Sequence, residues 1–147
     1  MSPTVRGPRL LVVEDDRPIG ELLLEVLSDE CGWSTTLVAS AAEARMAVVN
    51  ENFDMMFVDY GLPDGNGLDL VRWVRSLPGE SHPTACIVSA LDREVVVREA
   101  IRDGLIHRFL AKPFDLDEII TTVREADLGS REVAGQSSNK GERGPIH

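Results

Sequence analysis

Three apolar runs of strand length punctuate the chain, at Leu10 to Val13, Met55 to Val58 and Ala85 to Val88, and two weaker ones fall at Thr35 to Val38 and His107 to Leu110. Their length and near-continuous hydrophobicity predict strands covered on both faces. Between them the apolar positions switch to helical spacing, over Pro18 to Asp29, Ala41 to Asn50, Leu68 to Ser76, Arg93 to Arg102 and Leu116 to Ala126. In the first of these Ile19, Leu22, Leu23, Val26 and Leu27 share one face, and Pro18 stands in an opening turn that tolerates a residue without an N–H. Strand and helix thus alternate along the whole segment. Parallel neighbours need crossover helices, so the pattern predicts an α/β fold: a doubly wound five-stranded parallel sheet with five helices.

From Leu128 the pattern stops. "LGSREVAGQSSNKGERGPIH" is rich in Gly, Ser and charge and too poor in apolar residues to offset the entropy of ordering it. The expected organisation is therefore a flexible start over 1–8, one domain over 9–127, and a disordered tail or linker over 128–147. Twenty tail residues cannot build a second domain, so the chain reads either as a stand-alone unit or as a fragment of a longer protein.

Composition narrows the class. The formal charge is −10 over 147 residues, and the tail carries three basic and two acidic side chains, so the acidity belongs to the folded part. Such a surface repels phosphate backbones, and no basic stripe offsets it, so direct nucleic-acid binding is not expected. No apolar window reaches the ~18 residues of a membrane span. Cys31 and Cys86 lie in or beside apolar segments without metal-site spacing, which suits reduced packing thiols in a cytoplasmic protein.

The candidate chemistry sits where strands end. "LLVVEDD" delivers Glu14, Asp15 and Asp16, and "MMFVDYGLPDGNG" delivers Asp59 over a turn rich in glycine. In open α/β sheets ligands bind beyond the carboxyl ends of the strands, where strand order reverses. With the flavodoxin-like order 2-1-3-4-5 the first and third strands are neighbours, about 4.8 Å apart, and Asp15 and Asp59 face one small site. Carboxylates that close raise one another's pKa unless a cation relieves them. An all-oxygen set without clustered His or Cys points to Mg²⁺, and a carboxylate beside it suits a nucleophile toward phosphorus. An isolated Asp after a strand is more often a cap or turn residue. Here "IVSA" and "FLAKPF" add Ser89, Ala90 and Lys112 at the ends of the fourth and fifth strands.

In this order the acids, "VDYGLPDGNG", "IVSA" and "KPF" resemble the receiver domains of bacterial two-component response regulators, over about Arg9 to Ala126. The resemblance implies Asp59 as phosphoacceptor from a sensor histidine kinase, a phosphotransfer protein or a small phosphodonor. It implies Mg²⁺ as cofactor, held by Asp15, Asp59 and the backbone carbonyl of Gly61, with Glu14 acting through a water or by steadying Lys112. Lys112 would offset charge on the phosphoryl oxygens, and a cis Lys112–Pro113 bond is expected. Ser89 would bind a phosphoryl oxygen and switch with it, Ala90 would leave room for the donor, and Phe109 matches the switch aromatic, with core packing as the equal alternative. Asp16 either reaches the metal or caps the first helix.

Such a chain is a switch and not an enzyme with external substrates, though it catalyses its own phosphotransfer and autodephosphorylation. The resemblance also implies that the positions of Gly61 and Leu91 set the phosphoryl lifetime, and since neither offers a polar side chain to orient a hydrolytic water, autodephosphorylation is expected to be slow to moderate. Output would pass through the fourth helix, fifth strand and fifth helix to an effector or output domain, with homodimerisation on activation allowed. Two rivals stand beside this reading. A phosphorylation-independent receiver-like adaptor would not bind Mg²⁺ with beryllofluoride. A nucleotide-binding or hydrolytic enzyme would turn over external substrates, and "VVEDDRPIG" lacks the glycine-rich turn a dinucleotide site needs.

Overall fold

The computed structural model of the protein describes residues 8–79, 82–90 and 94–126. The expectations for residues 1–7, for Leu91 and for the tail over 128–147 lie outside the described residues. The elements run β1 (Arg9–Val13), α1 (Arg17–Cys31), β2 (Ser34–Val38), α2 (Ala41–Asn50), β3 (Met55–Asp59), β4 (Gly61–Leu62), β5 (Gly65–Asn66), α3 (Gly67–Arg75), β6 (Thr84–Ser89), α4 (Glu94–Arg102) and β7 (Arg108–Ala111). A last helix, α5, covers 116–126.

β2, β1, β3, β6 and β7 form one parallel sheet in that order. Setting aside the two-residue strands β4 and β5, this is the expected 2-1-3-4-5 arrangement. The central strands alternate strictly between two cores. Leu11, Val13, Met56, Val58, Ala85 and Ile87 join residues of α2, α3 and α4, whereas Leu10, Val12, Met55, Phe57, Cys86 and Val88 join residues of α1 and α5. Each fully buried Leu, Val or Phe stabilises the fold by about 1.5–3 kcal/mol relative to exposure. The flanking strands β2 and β7 are only partly buried, which is why their runs, with Thr35 and Thr36 in one and Arg108 in the other, read weakly in the sequence.

Local signals set the helix ends. Asp16 caps α1 by accepting from the Ile19 amide, and Gly32, at φ 72°, closes the helix in the left-handed conformation that glycine adopts without strain. The helix therefore extends beyond the expected Pro18–Asp29 at both ends. Ser40 accepts from the Glu43 amide while Glu43 reaches back to the Ala39 amide, and α2 spans the predicted Ala41–Asn50.

One feature departs from expectation. The glycine-rich turn after Asp59 is not a plain loop but an antiparallel ribbon, with Gly61 opposite Asn66 and Leu62 opposite Gly65. Asn66 then caps α3 by accepting from the Asp69 amide.

Candidate functional site

β1 and β3 lie side by side with Val13 paired to Val58, so the residues that follow, Glu14 and Asp59, emerge together at the carboxyl rim of the sheet. The Glu14 amide still donates to Val38 O, and the Tyr60 amide to Val88 O, so the backbone stays pinned to the sheet through both acids. Glu14 and Asp59 are 4% and 8% exposed, the two buried ionisable side chains among the described residues that are not thiols. From β7, the Lys112 amide donates to Ser89 O, and the Lys112–Pro113 peptide bond is cis, as expected. The Lys112 ammonium meets Glu14 Oε1 at 2.9 Å and Asp59 Oδ2 at 3.2 Å. The other Asp59 oxygen, Oδ1, accepts from the Gly61 amide at 3.2 Å.

The acid triplet divides its work. Asp16 is the helix cap and not a member of the cluster. Glu14 is tied by Oε1 to Lys112 and by Oε2 to the Asp16 amide at 3.1 Å. Asp15 stays exposed, yet Glu14, Asp15 and Asp59 each place an oxygen within 4.8 Å of the others. Burial pushes the Glu14 carboxyl up to about 7; the nearby Asp59 carboxylate adds to this, while Lys112 and the Asp16 amide oppose it. Burial alone would lower the Lys112 ammonium, but its hydrogen bond and attraction to Glu14, with the attraction of Asp59, hold its pKa above the ordinary value.

Three carboxyl groups therefore gather at one point, and two of them, Glu14 and Asp59, share one ammonium. The donors are all oxygen, two are held rigidly by the sheet, and Asp15 opens to solvent. A small divalent cation that keeps part of its water shell fits this set, and Mg²⁺ is the metal of that description.

Two more of the expected residues, Ser89 and Gly61, lie at the same carboxyl rim. Ser89 is buried at the end of β6, next to Val88, the residue paired with Asp59. Gly61 follows Asp59 by two residues, exposed, at the start of the ribbon. Gly67 closes the turn, its amide donating to Tyr60 O, and a Cβ there would lie 2.5 Å from Asp59 O, so only glycine fits. Phe109 is half-buried in β7 and packs against the core shared with α2, α3 and α4. Beside Lys112 an apolar recess of about 360 Å³ opens between Ile19 and Leu22 of α1, Ala90, Pro113 and Phe114. Sequence reasoning missed one residue that bears on this rim, Asp64 at the ribbon's tip, which accepts from the Ala41 and Ala42 amides of α2.

Comparison with known proteins gives a consistent result. Residues 10–124 match the family model for the response regulator receiver domain. The swarming motility regulation protein RssB of Serratia marcescens is 33% identical over 139 residues, covering 94% of this chain and 60% of that protein. The response regulator protein PmrA of Pseudomonas aeruginosa is 37% identical over 119 residues, covering 79% of this chain and 51% of that protein. The chain thus spans between half and three-fifths of the length of these curated relatives. Among solved structures, the receiver domain of a Francisella response regulator superposes with a TM-score of 0.72 at 28% identity, covering 81% of this chain and 95% of that one. The response regulator protein TrrA of Thermotoga maritima, in complex with Mg(2+)-BeF, shares the fold at a TM-score of 0.68 and 24% identity, covering 81% of this chain and 98% of that one.

Proposed function

The chain belongs to the response regulator receiver domain family of two-component systems, and from that premise we propose that it is a Mg²⁺-dependent switch that accepts a phosphoryl group on Asp59. The observation that carries this reading is the ammonium of Lys112 held between Glu14 and Asp59 at a buried rim that also gathers Asp15.

In the proposed reaction an Asp59 carboxylate oxygen attacks the phosphorus of a phosphohistidine or a small acyl phosphate. The bond from phosphorus to the leaving nitrogen or oxygen breaks, the leaving group takes its electron pair, and a mixed anhydride forms on Asp59. β3 holds the nucleophile rigidly, and the Gly61 amide fixes one of its oxygens. Lys112 already sits against Asp59, where the phosphoryl oxygens would arrive, and offsets their charge. Asp15, Asp59 and the Gly61 carbonyl would hold Mg²⁺, with Glu14 outside them through a water while it steadies Lys112. Bound there, the ion supplies charge neutralisation to the phosphoryl oxygens. Gly61, bare of a side chain, would orient no hydrolytic water, which favours slow to moderate autodephosphorylation.

Ser89 would take a phosphoryl oxygen, Ala90 beside it leaves room for the donor, and Phe109 would shift its burial with Ser89. Together they would bias the surface of α4, β7 and α5 toward an effector, an output domain or a second copy. The recess beside Lys112 suits an apolar segment of a histidine kinase or phosphotransfer protein. Residues 9–127 would be the receiver unit, working in the cytoplasm, with 1–8 and 128–147 as flanking segments. No helix among the described residues is long and apolar enough to cross a membrane.

Incubating the wild type and Asp59→Asn with Mg²⁺ and acetyl phosphate tests the proposal by mass. The wild type gains one phosphoryl group and Asp59→Asn gains none. Persistent labelling of the substituted protein moves the acceptor elsewhere.

A further inference from the structure

The ribbon that follows Asp59 is tied to a helix far from it in sequence. Asp64, at the tip between Leu62 and Gly65, accepts from the Ala41 amide through Oδ1 at 2.8 Å and from the Ala42 amide through Oδ2 at 2.9 Å. These are the α2 donors that local capping leaves open, because Ser40 takes the Glu43 amide and Glu43 takes the Ala39 amide. Both oxygens of one side chain engage two adjacent N–H groups, so the grip fixes the direction of the ribbon as well as its distance from α2. The two bonds also hold the Asp64 carboxyl below its ordinary pKa, and a carboxylate suits the positive end of a helix.

Gly61 needs such support. It has no side chain to pack, and a Cβ built on it would meet nothing within 4 Å. Its peptide is placed by its neighbours: by Asp59 and Tyr60 on the sheet side and by the ribbon on the other. Leu62 anchors that ribbon in the core and Asn66 anchors it to α3, leaving Asp64 to hold its tip. The Gly61 amide in turn donates to Asp59 Oδ1.

The geometry points to Asp64 as a positioning residue for the acidic rim, one that clamps the ribbon to α2 so that the Gly61 peptide stays in place for both Asp59 and the metal. This rests on the functional reading above. Substitution at Asp64 therefore weakens Mg²⁺ binding without touching any ligand side chain, and high Mg²⁺ restores labelling.

The test compares wild type, Asp64→Ala, Asp64→Asn and Ser40→Ala as full chains. Mg²⁺ affinity is measured by calorimetry, and amide hydrogen exchange at Gly61, Ala41 and Ala42 is measured without metal. Asp64→Ala weakens Mg²⁺ affinity roughly tenfold, the low end for outer support of a metal ligand. It also speeds exchange at all three amides, and its acetyl phosphate labelling returns to the wild-type rate at saturating Mg²⁺. Asp64→Asn, which keeps one acceptor oxygen, falls between. Ser40→Ala removes a cap from the same turn of α2 and leaves Mg²⁺ affinity unchanged. Unaltered affinity and Gly61 exchange in Asp64→Ala, even with a lowered Tm, make Asp64 a plain helix cap and overturn the proposal. So does a Ser40→Ala shift as large as that of Asp64→Ala. A wild type that binds no Mg²⁺ overturns the functional reading itself, an outcome separate from equal binding by wild type and variant.

Discussion

Along β3, Met55 to Val58 and then Asp59 are all hidden from solvent, and the neighbouring strands repeat the sequence of burial: Val13 gives way to Glu14, and Val88 to Ser89. Burial is shared, but its effect reverses within one residue. The apolar side chains are stabilised by leaving water. The carboxylates lose hydration that hydrogen bonds and an opposite charge must replace. The strand interior is redundant, since two cores of many side chains share the work. The rim is not, because the same Lys112 ammonium serves both Glu14 and Asp59. The interiors of β1 and β3 are built for stability, and their carboxyl ends carry buried acids.

The largest expected effect on stability comes from the interior. Phe57 is 1% exposed, sits two residues before Asp59, and points into the core shared by α1 and α5. Phe57→Ala removes a ring and leaves a cavity, so urea unfolding is expected to show a loss of about 3–5 kcal/mol. Acetyl phosphate labelling per folded molecule stays near wild type, because the rim is held by backbone bonds that the ring does not make. A labelling rate that falls in step with stability would show that the interior and the rim are one mechanical unit.

A smaller loss is expected at the rim, and it carries a different signature. Lys112→Ala leaves Glu14 and Asp59 buried together without their ammonium. Since Lys112 keeps 15% of its side chain exposed, the loss is about 2 kcal/mol in metal-free buffer, below the ~3–5 kcal/mol of a fully buried pair. Added Mg²⁺ stabilises this variant more than it stabilises the wild type, because the cation replaces the missing charge. Equal stabilisation of the two would mean that the carboxylates are relieved by solvent and not by Lys112.

The same division explains what could be read from the residues. The interiors of β1, β3 and β6 were legible because apolar runs bounded by acids and glycine have few other uses. The strand order came from the known doubly wound arrangement, and it then brought the acids together. Asp16 was legible as a candidate cap because "DRP" carries local cap chemistry, and α2 was legible through the helical spacing of its apolar positions. Glu14 was harder: its salt bridge joins it to Lys112, 98 positions later, a contact that no local pattern announces. β4 and β5 left no pattern at all, since two-residue strands of Gly-Leu and Gly-Asn cannot show alternation. Asp64 went unread, because its reach to α2 joins a turn and a helix that no local rule connects.

The smallest expected effect is the most direct probe of the interior, because it should be no reaction at all. Cys86 lies on β6 three residues before Ser89, fully buried on the α1 and α5 side. Burial pushes its thiol up to about 12, against the ordinary 9.0. A folded value above the unfolded one means the stability tied to the neutral thiol is fully present below about 9 and is lost only as pH rises through about 12, so neutral pH does not disturb it. Cys31, half-buried at the end of α1, is in a different position. With Ellman's reagent at about pH 8, where exposed thiols react as thiolates, the native protein should yield one reacting thiol and the denatured protein two. The count should stay at one in the presence of Mg²⁺ and acetyl phosphate, because the proposed switch, carried by Ser89, Phe109 and the outer surface of α4, β7 and α5, leaves the buried position of Cys86 closed. A second thiol that reacts only on phosphorylation would carry the conformational change into β6 itself, and the sharp boundary between Val88 and Ser89 would have to be abandoned.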